Sequence, residues 1–237
     1  MNYLAEFVGS LILLLSGYAY TCNISLKKTL VSKLNYIELA VAWSLAVGLG
    51  VAVAKYIGGP AYMNPGVVFG NILFGGLALS DALIYLLMEF LATGASELIC
   101  MVFFWDSFKA SGDAPKRGIF SAYPVEKNIP LNVVQEIMAT FFFFFLLLTL
   151  TSIPTGEMAP LVCGAAAFAV VMILALSLNS TGFSMNAMRS VFSSVWFVLI
   201  PFPNKNGEKV DWQYQLTVNL AGSSIGAILA VLVVGLL

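Results

Sequence analysis

Long apolar stretches alternate with short polar connections along this chain. Runs without a charged residue cover 7–26, 39–54, 56–80, 137–156, 158–188 and 212–237. A helix crosses the hydrocarbon core of a bilayer in ~20 residues, so most of these runs are long enough to span it. They are continuous rather than short and alternating, which predicts helices and not barrel strands. Lipid offers the backbone no hydrogen-bond partner, and a helix meets that demand within one segment. The pattern predicts six spanning helices over 3–22, 36–56, 82–104, 131–153, 159–178 and 213–236. Polar connections at 23–35, 106–130, 154–158 and 201–211 separate them.

Two apolar segments do not fit that scheme. Residues 57–80 are broken near their start by Gly58, Gly59 and Pro60, and residues 179–200 by Asn179, Ser180, Thr181 and Gly182. Broken backbone at membrane depth is tolerated where it lines a cavity, so these segments predict half-spans that enter and return. The two halves of the chain also echo one another. Glu6 opens the first long helix and Glu136 the fourth. The stretch from Met63 through Asn64, Pro65, Gly66, Val67 and Val68 to Phe69 is matched by Met185, Asn186, Ala187, Met188, Arg189, Ser190, Val191 and Phe192. Each half supplies an odd number of spans, so the second copy is expected to be inverted. Inverted halves with broken segments in matching positions place a site at the midplane. The expected architecture is an all-α integral membrane protein, one transmembrane domain over 1–237. Its repeat halves, about 1–104 and 131–237, are joined by 105–130.

Composition agrees with the pattern: 60% of the residues are hydrophobic and only 10% charged, against about a quarter charged in soluble domains. The net charge of −1 gives no basic face for nucleic acid. Histidine is absent, which removes the commonest general base and metal ligand. Cys22, Cys100 and Cys163 are isolated and lack ligand spacing; they read as small buried residues, so no metal or cofactor is expected. The amino-terminal segment has no basic leader or small-residue cleavage site, and reads as a retained helix.

The candidate chemistry sits in the broken segments. Asn64 precedes Pro65, a favoured first helical residue, and asparagine is a good N-cap. A short helix over 65–74 is therefore expected, and Asn186 predicts another over 187–198. Two half-helices entering from opposite faces would point two positive dipole ends at the bilayer centre, repelling cations and leaving side-chain amides to donate to a passing oxygen. The alternative is a pair of ordinary caps in apolar loops. Arg189 stands in a run otherwise uncharged from 158 to 204. Burying it in a membrane costs at least ~2.5 kcal/mol, which favours an aqueous path over a structural ion pair. Glu6 and Glu136 are expected to be structural carboxylates that accept loop amides rather than proton carriers. Glu89 and Glu97 could line a cavity or meet a neighbouring subunit. Phe141 to Phe145 read as lipid-facing and packing surface.

The two asparagine segments, Met63 to Gly66 and Thr181 to Ser190, resemble the paired asparagine-proline-alanine boxes of the major intrinsic protein family. Gly118 to Pro124 looks like the third extramembrane loop of its bacterial glycerol facilitators, and Glu6 and Glu136 match the family's helix glutamates. The resemblance implies six spans, two half-helices, a pore in each protomer and a homotetramer in the cell membrane. It also implies a four-residue selectivity filter, placed by counting along matching segments at Val47, Leu174, Phe183 and Arg189. Gly66, Ala187 and Met188 depart from the boxes, Met188 adding bulk at the midplane, and Asn219 replaces an expected proline. Glycerol facilitators carry tryptophan where Val47 falls. The family orientation also sends most basic connections outside and leaves Lys55 within, against the positive-inside rule.

The function this implies is passive permeation of glycerol-sized uncharged solutes and water, with ions and protons excluded and no catalytic residue. A water or small neutral acid channel, a secondary transporter using Glu89 or Glu97, and a non-conducting structural member are the competing readings. An enzyme fits worst, since the sequence offers no evident nucleophile–base pair.

Overall fold

The computed structural model describes residues 1–31, 36–112, 116–153, 156–177, 180–182, 184–205 and 207–237, the side chains of residues 36 and 175–177 excepted. Six of its helices are long and apolar enough to cross a membrane. These spans are Tyr3–Ser25, Tyr36–Tyr56, Leu79–Phe103, Ile129–Thr151, Ala159–Ser177 and Trp212–Leu236, referred to as the first to sixth. Two shorter apolar helices, Pro65–Phe74 and Met188–Leu199, are the half-helices.

The starts of the spans follow from caps. Asn2 accepts the N–H of Ala5 at 3.2 Å, and Asn128 that of Leu131 at 3.3 Å just before Pro130. The third span starts at Leu79 rather than at 82 because Asp81 is inside its first turn, where a carboxylate suits the helix dipole. There it accepts the Tyr3 hydroxyl at 2.5 Å. The 106–130 connection is not plain loop: it holds short helices at Trp105–Ala110 and Arg117–Phe120.

The packing repeats in the two halves. The first span packs on the second and third, and the fourth packs on the fifth and sixth; the second and fifth meet at the centre. Each half-helix crosses over, Pro65–Phe74 onto the sixth span and Met188–Leu199 onto the third. Glycines set the closest crossings. A Cβ at Gly48 would lie 2.7 Å from the carbonyl oxygen of Gly164, and one at Gly164 would lie 2.8 Å from that of Gly48. Small residues permit this approach of backbones, which van der Waals packing then rewards. Large apolar side chains such as Leu45, Leu49, Leu83, Val134 and Leu229 face outward, as lipid contact requires.

The sixth span is π-helical over Gln215–Gly222 before it becomes α-helical at Ser223. Such a segment bends a helix and re-aims its side chains. Here it turns Asn219 inward, where its amide donates to Ala122 O at 3.0 Å and to Gln215 Oε1 at 2.9 Å. Asn219 thus ties the sixth span to the 106–130 connection. Polar bonds knit the same face of the molecule into a collar. The Glu208 carboxylate accepts the backbone N–H groups of Lys116, at 2.8 and 3.0 Å, and of Arg117 at 3.0 Å. Lys127 pairs with Asp211 at 2.5 Å.

Candidate pore and its constrictions

Each half-helix begins at its asparagine, as the sequence predicts. The Asn64 side chain accepts the N–H of Gly66 at 2.8 Å and the Asn186 side chain that of Met188 at 2.9 Å. Each amide nitrogen then reaches the opposite half: Asn64 donates to Met185 O at 2.9 Å, and Asn186 to Met63 O at 2.7 Å. The methionine before each asparagine has positive φ, 44° at Met63 and 47° at Met185. For a side-chain-bearing residue this costs of order 1–3 kcal/mol and persists only where the surroundings hold it.

Here the surroundings hold it from both sides. Glu6 accepts the N–H of Met63 and, at 3.1 Å, that of Tyr62. Glu136 accepts the N–H of Met185 and the hydroxyl of Thr181. Each methionine peptide therefore gives its N–H to a glutamate of its own half and its C=O to the asparagine of the other. Both carboxylates are fully buried, and removing either would leave the loop amides it accepts without their partner.

A central cavity of about 50 Å³ runs along this junction, beyond the ~10–15 Å³ that one water needs. Its walls include Leu13, Val47, Val51, Phe143, Phe144, Leu147 and Val171, with Ser184, Asn186 and Arg189 as polar members. At one end the Arg189 guanidinium lies 4.7 Å from the centre of the Trp43 ring, and one of its nitrogens reaches Gly182 O at 3.4 Å. The Arg189 carbonyl accepts the Tyr18 hydroxyl at 3.1 Å. At the other end lies a vestibule of about 250 Å³. Val51, Ala61, Tyr62, Phe144 and Leu147 line both spaces, so the two adjoin. The vestibule lies on the amino-terminal face, where Asn2 donates to Ile57 O at 2.7 Å beside the end of the second span.

Of the residues singled out from sequence, Val47, Asn186 and Arg189 line the cavity. Asn64, Pro65, Gly66, Ala187 and Met188 are buried in the junction behind it. Met188 is packed wholly into the core, so its bulk lies away from the cavity, and Met63 and Met185 form the wall instead. Leu174 is buried in the core, and Val171, one turn earlier, is on the wall. Phe183 lies outside the described residues. Glu89 and Glu97 are fully buried and belong to neither the cavity nor the vestibule lining.

Pattern reading missed Trp43, Leu13, Phe143 and Phe144. Phe143 and Phe144 were expected among lipid-facing and packing residues, yet both are on the wall. A signal for them existed in the repeat. Leu13 stands two turns beyond Glu6 and Phe143 two turns beyond Glu136, on the face each glutamate turns to its loop. Trp43 is one turn from Val47, and Gly17 leaves the space its ring fills, since a Cβ there would meet the ring at 2.4 Å.

Two inverted helical halves, meeting at capped half-helices beside a central cavity that adjoins a vestibule, define a membrane-spanning pore protein. A sequence profile described as "Major intrinsic protein" matches residues 1–234. The chain belongs to the major intrinsic protein family. It is 32% identical to glycerol uptake facilitator protein 2 of Lactiplantibacillus plantarum over 97% of this chain and 96% of that one. It is 33% identical to the glycerol uptake facilitator protein of Streptococcus pneumoniae serotype 4, over 98% and 97% of the two chains. A D/L-lactic acid transporter of L. plantarum is 30% identical, covering 96% of this chain and 93% of its own. Among solved structures, the aquaglyceroporin from Plasmodium falciparum superposes with a TM-score of 0.80 at 15% identity, covering 98% of this chain and 94% of that one.

Proposed function

We propose that this protein is a passive channel for glycerol-sized uncharged solutes and water, a single transmembrane domain acting without catalysis or cofactor. The observation that carries the reading is the pairing of Arg189 with the face of Trp43 at one end of a mostly apolar central cavity. A polyol has a hydroxyl side and a hydrocarbon side. The guanidinium donates to the first and the indole accommodates the second, so a narrow passage can strip water from both at little cost. Val47 lies one turn from Trp43 on the same wall and narrows the path beside it.

Farther in, both asparagines are crossed onto the opposite loop and fix the junction, and Asn186, on the cavity wall, has its second amide N–H for the solute. The half-helix amino termini and Arg189 together disfavour cations, including a hydrated proton. The outward apolar faces fit lipid and a homotetramer in the cell membrane, and the relatives named glycerol uptake facilitators support the choice of solute.

Stopped-flow light scattering on proteoliposomes under glycerol and water gradients tests this. Fast, non-saturating glycerol flux without ion dependence is expected. Arg189→Val is expected to change the ratio of glycerol to water flux several-fold. Flux equal to that of protein-free liposomes for both solutes would leave a closed or structural protein instead.

A further inference from the structure

Tyr18 belongs to the first span and is wholly buried. It is part of neither the cavity nor the vestibule lining, so it acts on a solute only through other side chains. It nevertheless touches both members of the constriction. Its hydroxyl donates to the Arg189 carbonyl at 3.1 Å and shares a second hydrogen bond with the Ser193 hydroxyl. The carbonyl can only accept, so the tyrosine O–H points at Arg189 and the Ser193 O–H at the tyrosine oxygen. Its ring packs edge-on against Trp43, with centroids 5.9 Å apart and planes at 78°. A second edge contact, to Phe120 with centroids 5.2 Å apart, braces the tyrosine ring from the 106–130 connection.

A buried tyrosine usually finds a partner for its hydroxyl, and this one finds it on the half-helix that carries Arg189. The turn Met188–Phe192 is π-helical and gives way to α-helix at Ser193. A π turn is a rare, local departure from the α ladder, so the direction in which Arg189 projects depends on contacts from outside the turn. Tyr18 grips that turn at Arg189 and again at Ser193, while its ring bears on Trp43. One side chain therefore spans the two groups whose 4.7 Å separation forms the constriction.

We propose that Tyr18 is a positioning residue for the constriction, fixing where Arg189 stands relative to the Trp43 ring and so setting how strongly the pore favours a polyol over water. The proposal rests on the channel reading above and adds to it a specificity-determining residue behind the pore wall. Recognition groups work only when their supporting neighbours hold them within about 0.5 Å of the productive geometry. Without the hydroxyl bond the Arg189 backbone relaxes, and the match between its donors and a polyol's hydroxyl side is lost. Water is small and bonds in any orientation, so it loses less.

The test is stopped-flow glycerol and water flux above the lipid background, in proteoliposomes of the full-length protein, Tyr18→Phe and Ser193→Ala. Tyr18→Phe keeps the ring against Trp43 and removes only the hydroxyl. The ratio of glycerol to water flux is expected to fall about two- to ten-fold, the equivalent of one hydrogen bond. Ser193→Ala leaves the bond to the Arg189 carbonyl in place and should lower the ratio by less. The ratio is independent of how much protein is folded, so a loss of stability alone does not move it. With wild-type flux present, an unchanged ratio in Tyr18→Phe, including an equal fall in both fluxes, overturns the proposal and leaves the channel reading standing. Should Tyr18→Phe not be recovered folded, Ser193→Ala decides: a lowered ratio supports the proposal and an unchanged one overturns it. Wild-type flux no faster than in protein-free liposomes for both solutes removes the channel reading and the proposal with it.

Discussion

At Gly66 a Cβ would come to 2.8 Å from the Cβ of Ala227 and 2.9 Å from the Cα of Ser224 on the sixth span. The family's boxes carry alanine here, so the departure reflects how closely the first half-helix is pressed against its neighbour. Restoring alanine is expected to destabilise the protein by about 1–3 kcal/mol, the usual cost of overpacking. A lowered detergent-solubilised melting temperature reads this out. Ala227→Gly in the same chain should recover only part of the loss, since the Ser224 backbone stays in place. If Gly66→Ala melts at the wild-type temperature, the close approach is softer than the geometry says. The same reasoning explains Asn219 in place of a proline: its side-chain amide holds Ala122 O, which a proline could not do.

Among the elements, the half-helix Met188–Leu199 shows how a broken span is finished. Its amino end is capped by Asn186, and its carboxyl end has carbonyls without helical partners. Lys205 reaches back and donates to Phe197 O, Val198 O and Ile200 O, each at 2.8 Å. A charged donor on three orphan carbonyls both bonds them and offsets the negative end of the dipole. Lys205→Met is expected to cost about 1.5–3 kcal/mol, the range for hydrogen bonds to a charged group. Amide hydrogen exchange should rise selectively around residues 196–200. An exchange pattern indistinguishable from wild type there would mean that water serves those carbonyls equally well.

For the whole molecule, the collar formed by the 106–130 and 201–211 connections ties the two halves together outside the bilayer. Its ion pair is pH-dependent. The hydrogen bond from Lys127 holds the Asp211 carboxyl below its ordinary value. A depressed carboxylate contributes stability above the unfolded-state value of ~3.9, and that contribution is lost as pH falls through the lower folded value. Thermal stability should therefore decline on acidification below about pH 4, and less steeply in Lys127→Gln. The pair is partly exposed, so the effect is small and salt-sensitive. Identical acid limbs for the two proteins would remove the pair from the account.

Six spans, two half-helices, the inverted repeat and the two capping asparagines were legible in the sequence. Apolar run length, glycine and proline breaks and capping chemistry are local properties that one-dimensional order carries. The roles of Glu6 and Glu136 were legible as well, because a carboxylate at membrane depth must find donors and each preceded a broken loop. The pore wall was not. Which of Val47 and Trp43 meets Arg189, and whether Val171 or Leu174 reaches the cavity, depends on how far each helix is rotated about its axis. That rotation is set by contacts such as Gly48 against Gly164 and Gly17 against the Trp43 ring, between residues far apart along the chain. Within a uniformly apolar helix no polar stripe marks the inner face. The membrane fixed which segments are helices, and only their packing decided which side chains the solute meets.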